Sequence, residues 1–280
     1  MTPKTWFITG ASSGFGDAFA RHAIAQGHNI VATARDPSRL AAVAALAPER
    51  VLVQRLDVTA PGQTEAAVAA AIARFGRIDV LINNAGYAIV GAAEETPEAE
   101  LRALMETNFF GAVAMTRAAL PTLRAQKSGA VVNISSLGGQ LSFPGFSAYS
   151  ASKFALEGFS EALADEMAPF GVKVLIVEPG AFRTNLAGGG MKHMPILAAY
   201  AGSVGGTRDL VDGMHGTQAG DPFKAAAAIE AALAARTTPL RLQLGQDTVD
   251  AVRTHAERLL ADLETWAAVA IDTRIDDTIG

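Results

Sequence analysis

The sequence predicts an α/β protein whose single doubly wound domain has a parallel sheet of about seven strands, with helices on both faces. Short apolar runs rich in β-branched residues alternate with longer alanine-rich segments of helical period, which is typical of βαβ units. Half of the 280 residues are hydrophobic, enough to bury a large core. No repeat or low-complexity linker divides the chain, so residues 1–280 are predicted to form one domain.

Seven strands are predicted in chain order. The first, at 5–9, is TWFIT, a nearly continuous apolar run that suits a strand covered on both faces. The other six lie at 29–34, 51–56, 78–83, 129–135, 172–178 and 239–244. Helices fill the gaps, beginning with one over 14–26. Pro121 is expected to break or kink the long helical stretch between Pro97 and Gln126.

Two later segments depart from this alternation. Nine of the forty residues at 181–220 are glycines, mixed with apolar side chains. A long stretch without clear regular structure inside a compact domain is usually functional, so this segment is predicted to be a flexible substrate lid. A mobile loop or a subunit contact is the alternative. Residues 246–280 form a C-terminal extension, whose helical stretch at 258–266 would cover either the lid or a neighbouring subunit.

Composition excludes several classes of function. The chain has no cysteine, so disulfides, thiolate metal sites and cysteine nucleophiles are excluded, and no metal site is predicted. The net charge is −5 and the basic residues are scattered, so a nucleic-acid partner is not expected. No apolar stretch approaches the roughly 18 residues of a membrane helix, and no signal-peptide core precedes the first turn. A cytoplasmic location without a membrane partner is therefore expected.

The stretch TGASSGFG at 9–16 is compatible with two chemistries. From Gly10 to Gly14 it matches the G-x-S-x-G elbow of a hydrolase, with Ser12 as the nucleophile. Gly10, Gly14 and Gly16 also form a glycine-rich turn between a strand and a helix, whose amides could cradle a dinucleotide pyrophosphate. The cradle is favoured, because an elbow on the first strand leaves no earlier loop to supply a second oxyanion-hole amide.

Further motifs follow the later strands. They are Asn83-Asn84-Ala85-Gly86 after the fourth strand, Asn108 in the next helix, Ser136 after the fifth strand, Tyr149-Ser150-Ala151-Ser152-Lys153 at the start of a helix, and Pro179-Gly180. With TGxxxGxG at 9–16, the chain over roughly residues 4–187 resembles the short-chain dehydrogenase/reductase family, in its NADP-preferring form. The resemblance implies a Rossmann-type fold and a hydride transfer between a nicotinamide cofactor and a carbonyl or alcohol group.

The resemblance also implies a role for each of four catalytic residues. Tyr149 would exchange the substrate proton, Ser136 would hydrogen-bond the substrate oxygen, and Lys153 would tune the pKa of Tyr149 and hold the cofactor ribose. Asn108 would anchor a water that connects Lys153 to solvent. Because Tyr149 and Lys153 are four residues apart, they share one face of a helix. Acting as a base near neutral pH requires the tyrosine pKa to fall from about 10, and a neighbouring ammonium has the right sign.

The end of the second strand bears on the choice of cofactor. Asp36 lies near the position where dinucleotide folds place an acid on the ribose, whereas Arg35 could grip a 2′-phosphate through paired hydrogen bonds. Ala34 stands where NAD-using members of the resembled family carry their acid, so NADP(H) is favoured over NAD(H). The cofactor site implied by the resemblance comprises Gly10, Ser12, Ser13, Gly14, Phe15, Gly16, Arg35, Asp57, Val58, Asn83, Ala85, Gly86, Tyr149, Lys153, Pro179, Gly180 and Thr184.

The predicted function is that of an NADP(H)-dependent oxidoreductase acting on a hydrophobic ketone, aldehyde or secondary alcohol. Its pocket would be formed by residues 138–146, residues 87–93 and the lid, all apolar apart from groups such as Gln140. A cofactor-binding sensor without turnover is the alternative, followed by a hydrolase that uses Ser12. By resemblance, a homodimer or homotetramer is expected, formed through the helices at 101–124 and 150–167.

Overall fold

The computed structural model describes residues 2–273 and 275. The strands are β1 Thr5–Ile8, β2 Asn29–Ala34, β3 Val51–Arg55, β4 Val80–Asn83, β5 Ala88–Val90, β6 Gly129–Ile134, β7 Val172–Pro179, β8 Met191–His193 and β9 Arg241–Leu244. The helices are α1 Gly14–Ala25, α2 Ala41–Ala44, α3 Gln63–Phe75, α4 Glu98–Met105, α5 Gly111–Gln126, α6 Ser147–Met167, α7 Ala201–Met214, α8 Pro222–Ala234 and α9 Gln246–Ile271.

Seven strands form one parallel sheet in the order β3-β2-β1-β4-β6-β7-β9. The predicted fold class is therefore confirmed, and each of the seven predicted strands is present with ends that differ by no more than two residues. The strand order reverses between β1 and β4. In open α/β sheets, ligands bind at such a reversal beyond the carboxyl ends of the strands, so the site is expected where β1 and β4 end.

The sheet separates two apolar layers, because successive side chains of a strand point to opposite faces. Trp6 and Ile8 of β1 pack with Phe19 of α1 and with residues of α8 on one face. Phe7, between them, packs on the other face with residues of α3, α5 and α6 such as Met115. Burial on both faces explains why the strands are continuous apolar runs.

The segment at 181–220 is more regular than its composition indicates. It contains β8, which pairs in parallel with β5 as a separate two-stranded sheet, and the 14-residue helix α7. The prediction that this segment lacks regular structure is therefore wrong. Strands of three residues are too short to show alternation, and the glycines of α7 masked its helical period.

The helical stretch from Pro97 to Gln126 is interrupted at a different place from the predicted one. Helix α5 continues through Pro121, so of the two predicted effects the break is wrong, whereas the kink stays a prediction. The departure from α-helical geometry is a π-helical turn at Glu106–Phe110, between α4 and α5. Such turns are rare and are frequent at functional sites, and this one contains Asn108.

The C-terminal extension forms α9, which confirms a helix over 258–266. Its first turns contact β9 and the segment after Ser136, and Thr248 is fully buried there. Farther along, Leu259, Leu263 and Trp266 are exposed. Residues 274 and 276–280 of the predicted extension lie outside the described residues. Across 2–273 and 275, no helix has both the length and the apolar character needed to span a membrane.

Candidate active site

The glycine-rich turn joins β1 to α1 at the carboxyl edge of the sheet. Gly10 and Gly14 have φ angles of +66° and +56°, in the left-handed region that favours glycine. Gly16 is required for space, because a Cβ there would contact the Gly10 carbonyl oxygen and lie 2.8 Å from Asn84 Nδ2. The first amides of α1 have no partner within the helix, so this turn presents free N–H groups.

Thr9 and Asn84 hold the turn against the end of β4. Thr9 Oγ1 accepts hydrogen bonds from the backbone nitrogens of Asn84 (2.9 Å) and Ala85 (3.0 Å). The Asn84 side-chain amide donates to the carbonyl oxygens of Thr9 (3.0 Å) and Gly10 (3.1 Å). Both residues lie inside the motifs at 9–16 and 83–86, but neither was among the predicted site residues. They fix the backbone that would face a ligand.

The remaining predicted residues of the turn differ in exposure. Ser12 is half-buried and Ser13 is exposed at the start of α1. The Phe15 ring packs on Phe19 and Phe182, with centroids 5.4 and 5.2 Å away, so only its backbone amide faces the predicted cradle. Within the described part of the chain, no histidine forms a hydrogen bond with Ser12. The hydrolase alternative thus lacks a general base.

Asn83 turns its side chain away from the expected cofactor position. Its amide donates to Thr116 Oγ1 (2.9 Å) and to Asn133 Oδ1 (2.7 Å), and Asn133 donates to Ser160 Oγ (2.7 Å). The buried network ties β4 to β6, α5 and α6. The side chain is engaged through its nitrogen alone, because Oδ1 is buried without a hydrogen-bond partner among the described residues, and the part of Asn83 in cofactor binding stays a prediction.

Asn108 is fully buried in the π-helical turn, and its side chain is committed to protein groups. Its Oδ1 accepts from the Tyr87 backbone nitrogen (3.1 Å), and its Nδ2 donates to the Tyr87 carbonyl (2.9 Å) and to Ser152 Oγ (3.1 Å). A Cβ on Gly86 would lie 3.0 Å from Oδ1, so Gly86 makes room for this contact. Both hydrogens of the Asn108 side-chain amide are therefore used within the protein and are not available to the predicted water.

Ser136, Tyr149 and Lys153 meet where β6 ends and α6 begins. The Ser136 hydroxyl accepts from the Gly138 backbone nitrogen (3.1 Å) and lies close enough to Tyr149 to lower its pKa. Lys153 Nζ donates to the Ile134 carbonyl (2.9 Å) and lies 5.8 Å from the centroid of the Tyr149 ring. The structure thus brings together three of the four predicted catalytic residues, and the fourth, Asn108, bonds to Ser152 of the same helix.

Burial is the main cause of the pKa shifts of Tyr149 and Lys153. It raises the pKa of Tyr149 above its ordinary value, while the hydrogen bond with Ser136 acts in the opposite direction. It lowers the pKa of Lys153 to about 8, against the opposing charge of Glu157 one turn later. Burial outweighs the hydrogen bond with Ser136, so the protein groups by themselves do not give the fall of the Tyr149 pKa that a base near neutral pH requires. A tyrosine in this state is protonated at neutral pH and can donate a proton.

Arg35 and Asp36, at the end of β2, differ in their contacts. The Asp36 carboxylate accepts from the Ser38 backbone nitrogen (3.0 Å) and hydroxyl (2.7 Å), which caps the following short helical turn. Arg35 is exposed, and its positive charge helps to lower the pKa of Asp57. The hydrogen bonds from Thr59 lower that pKa more strongly. Asp36 is thus committed to its own turn, whereas Arg35 extends towards the neighbouring strand end.

Val58, Pro179, Gly180 and Thr184 complete the predicted cofactor residues. Val58 is buried against Gly111, where a Cβ would lie 2.5 Å from Val58 Cγ2. Pro179 ends β7, and Gly180 donates to the Leu244 carbonyl (3.0 Å). Thr184 lies over the glycine turn, 3.3 Å from the position of a Cβ on Gly14. A cavity of about 360 Å³ opens between this loop and the start of α1.

The surroundings of Tyr149 are apolar. It belongs to a buried cluster with Ile89, Leu104 and Met194, against which Tyr87, Phe146 and Met191 pack. The side-chain amide of Gln140 donates to Glu157 (3.1 Å) and to Glu178 (3.0 Å), so its nitrogen is engaged away from this cluster. Its place in the pocket stays a prediction.

Gln140, Glu157, Glu178 and Arg241 form a polar cluster behind the Ser136 turn. Arg241 Nε lies 3.0 Å from a Glu157 oxygen and 3.5 Å from a Glu178 oxygen. Two buried carboxylates thus share one guanidinium. Burial, followed by the charge of Glu157, raises the pKa of Glu178 to about 7. Sequence patterns could not reveal this cluster, because its members come from four separate segments.

Comparison with known proteins agrees with the motifs. A family model described as short chain dehydrogenase matches residues 4–195, which is more than half of the chain. The chain belongs to the short-chain dehydrogenase family. The predicted family, and the Rossmann-type fold that it implied, are confirmed, and with them the general class of oxidoreductase.

Relatives of this short-chain dehydrogenase extend beyond the matched region. Oxidoreductase BOA17 of Botryotinia fuckeliana is 41% identical over 269 residues, which cover 96% of this chain and 98% of that protein. The crystal structure of a short-chain dehydrogenase from Streptomyces avermitilis has a TM-score of 0.93 at 53% identity, over 98% of this chain and 99% of that one. A metagenomic short-chain oxidoreductase in complex with NADP has a TM-score of 0.68 at 27% identity, over 86% and 96% of the two chains.

Proposed function

We propose that this short-chain dehydrogenase transfers a hydride between NADP(H) and a hydrophobic ketone, aldehyde or secondary alcohol. The observation that carries the proposal is the convergence of Ser136, Tyr149 and Lys153 in a buried, apolar surrounding. The glycine turn suits a dinucleotide, because the absence of side chains at Gly10 and Gly16 lets the backbone pack closely, and the start of α1 offers free amides. When bound, the nicotinamide supplies or accepts the hydride.

The proton is proposed to move at Tyr149 Oη. In the reducing direction, the hydroxyl is protonated at neutral pH because burial raises its pKa, and it gives its proton to the substrate oxygen. Ser136 Oγ donates a hydrogen bond to the same oxygen and so stabilises the charge that develops there. Lys153, with a pKa of about 8, is mostly cationic at neutral pH and stabilises the tyrosinate that remains.

Selection of NADP(H) is proposed to rest on Arg35. Its guanidinium forms no hydrogen bond or ion pair with any of residues 2–273 and 275, and it is exposed at the end of β2. Of the acids close by, Asp36 is engaged by Ser38 and Asp57 by Thr59, and Ala34 offers no carboxylate. A planar guanidinium suits a 2′-phosphate, which binds through paired hydrogen bonds.

A hydrophobic substrate is supported by the lining of the site. Tyr149 packs among aliphatic, aromatic and methionine side chains, and the 181–220 segment adds the exposed apolar residues Leu186, Ile196 and Leu197. Apolar pockets with a few placed polar groups are typical of sites for such ligands. We propose that this segment covers the substrate, as a lid with its own strand and helix.

A homodimer or homotetramer is proposed to form through the helices on the α4–α6 side. Leu101, Phe110 and Phe154 are large apolar residues of this region that remain exposed. Exposed apolar groups that cluster on one side of a protein often mark a subunit interface.

Cofactor binding, followed by fluorescence, tests the proposal. The wild type is titrated with NADPH and with NADH beside Arg35→Ala, and Arg253→Ala on the exposed α9 is the matched control. We expect NADPH to bind at least about tenfold more tightly than NADH, a preference that Arg35→Ala abolishes and Arg253→Ala keeps. Equal or tighter binding of NADH would contradict the proposed selectivity, and binding of neither cofactor would overturn the function.

Turnover separates the enzyme from the sensor. NADPH oxidation is followed with a panel of hydrophobic ketones for the wild type and for Tyr149→Phe. Phenylalanine keeps the ring in its apolar cluster but has no proton to give, so turnover should fall by about a hundredfold or more while NADPH binding persists. Binding without any turnover in the wild type would favour the sensor.

A further inference from the structure

The first turn of α9 reaches the loop that follows β7. Asp247 lies in that turn, and its Oδ2 accepts a hydrogen bond from the backbone nitrogen of Ala181 (2.8 Å). The two residues are 66 positions apart in the sequence. Asp247 also lies outside residues 4–195, the part matched by the family model. The C-terminal extension therefore contributes a side chain to the loop that begins with Pro179 and Gly180.

Two glycines make room for this carboxylate. A Cβ on Gly180 would contact Asp247 Oδ2 and lie 2.5 Å from Asp247 Cγ, and these are the nearest atoms to that position. A Cβ on Gly245 would contact Oδ1. Gly245 has a φ of +99°, which favours glycine by itself, but Gly180 lies outside the left-handed region. At Gly180, therefore, the carboxylate rather than the backbone conformation is what requires glycine.

The position of this contact links it to the cradle. Gly180 is already tied to β9 through the Leu244 carbonyl, and three residues beyond Ala181 the chain places Thr184 over Gly14. Asp247 helps to fix the direction in which the chain leaves the sheet, because without it the Ala181 amide loses its acceptor. It acts together with Gly220, whose backbone bonds to the Ala181 carbonyl (3.0 Å) and to the Arg183 nitrogen (2.8 Å). A change of direction at Ala181 would move Thr184 relative to the glycine turn.

A simpler role for Asp247 is to stabilise its own helix, since an acidic side chain in the first turn interacts favourably with the helix dipole. The next acid of α9 provides the comparison. Asp250 accepts a hydrogen bond from Gln246 Nε2 (2.8 Å) within the same helix. Asp247 instead accepts a hydrogen bond from the loop that follows β7, which is connected to the site. Of these two acids of α9, only Asp247 therefore bonds outside its own helix.

We infer that Asp247 is a positioning residue for the cofactor, and that it acts by fixing Gly180 and Ala181 so that Thr184 closes over the glycine turn. The inference rests on the proposed function. It assigns the start of the C-terminal extension to the cofactor site, a role that lies outside the region of the family motifs.

The test measures the dissociation constant for NADPH by fluorescence in Asp247→Ala, Asp247→Asn and Asp250→Ala, each with a melting temperature. We expect Asp247→Ala to bind NADPH about three- to tenfold more weakly, because an ordered loop hydrogen bond is lost. Asp247→Asn keeps an oxygen acceptor and should bind within about twofold of the wild type. Asp250→Ala should leave the constant unchanged.

A double-mutant cycle with Gly180→Ala provides a second readout. The added methyl group displaces the Asp247 carboxylate, so Gly180→Ala should weaken NADPH binding in the wild-type background. In the Asp247→Ala background the three atoms nearest to the methyl group are gone, so its effect should largely disappear. A merely helix-stabilising Asp247 would leave the two effects additive.

The outcomes separate this inference from the proposed function. Binding of neither NADPH nor NADH by the wild type overturns the function. Wild-type binding that Asp247→Ala leaves unchanged, or that Asp247→Asn weakens as much as Asp247→Ala does, overturns the inference alone. If Asp247→Ala does not fold, the variants Asp247→Asn and Gly180→Ala provide the test. Near-normal NADPH binding by Asp247→Asn together with weakened binding by Gly180→Ala supports the inference. Any other result overturns it.

Discussion

Two glycine-rich regions of this protein use glycine for opposite reasons. In the turn between β1 and α1, a Cβ on Gly16 would meet a carbonyl oxygen and an amide nitrogen of the neighbouring loops. In α7, a Cβ on Gly202, Gly205, Gly206 or Gly213 would meet nothing within 4 Å. A high glycine content thus occurs in a tightly packed turn in one place and on the open side of a helix in the other. Glycine content alone identifies neither flexibility nor function.

The two regions also differ in how they are held. The turn is fixed by hydrogen bonds of Thr9 and Asn84 to its backbone. Helix α7 is held by Arg208, which donates to Glu95 Oε2 (2.7 Å) and to the Met194 carbonyl (3.1 Å), and all these atoms are buried. Hydrogen bonds to its backbone therefore hold the glycine turn, whereas the ion pair between Arg208 and Glu95 links α7 to the segment after β5.

The largest effect is expected from adding one methyl group to the turn. Gly16→Ala would force the turn away from Asn84 and Gly10, so NADPH binding should weaken by at least about a hundredfold, with a lower melting temperature. Fluorescence titration measures it, and Gly206→Ala is the matched control that should bind normally. Normal NADPH binding by Gly16→Ala would contradict the steric account of the turn.

A smaller effect is expected from removing the ion pair of α7. Arg208→Met leaves Glu95 as a buried carboxylate without its cation, so amide hydrogens of α7 should exchange roughly a hundredfold faster. Hydrogen exchange with mass spectrometry measures this change. Lys192→Met, which removes the exposed pair with Glu100, is the control and should change the exchange by less than about fivefold. Unchanged exchange in Arg208→Met would show that the ion pair does not hold the helix.

The stability of the protein should depend on pH through Glu178, which lies near the end of β7, just before the 181–220 segment. Its folded pKa of about 7 exceeds the value of about 4.3 for an unfolded glutamate, so it keeps its proton where the unfolded chain has lost it. Its contribution to the free energy of unfolding is complete at acidic pH and is lost as the pH rises to about 7. The free energy of unfolding of Glu178→Gln, relative to that of the wild type, should therefore rise by about 1–3 kcal/mol between pH 5 and pH 8.

Urea unfolding at both pH values measures that gain. Glu161→Gln is the control, because Glu161 pairs with the same Arg241 but is exposed. A gain in Glu161→Gln equal to that in Glu178→Gln would assign the pH dependence to Arg241 rather than to burial of Glu178.

The smallest effect is expected at a glycine of α7. Gly206→Ala puts a methyl group into open space within a helix and reduces the freedom of the unfolded chain, so it should stabilise the protein by about 0.5–1 kcal/mol. Chemical denaturation measures it. Destabilisation would mean that α7 needs its glycines for a contact or for a motion, and the contrast with Gly16 would weaken.

Much of the fold and of the site could be predicted from the sequence. Continuous apolar runs such as Thr5–Ile8 predicted the strands, because a strand buried on both faces leaves few polar positions. The Tyr149 to Lys153 spacing predicted one helical face, since that geometry is local. The strands β5 and β8 could not be predicted, because each has three residues and its strand partner comes from a distant segment.

The sequence by itself determined the family, the order of the seven strands along the chain and the residues at their carboxyl ends, because periodicity and local motifs record these features. Only the tertiary structure decided which polar side chains remain available to a ligand. Asn83, Asn108 and Gln140 are each taken by a buried partner from another element, and Asp247 reaches the loop after β7. Tertiary structure also set the pKa of Tyr149, since removal from water depends on every neighbour rather than on spacing in one helix.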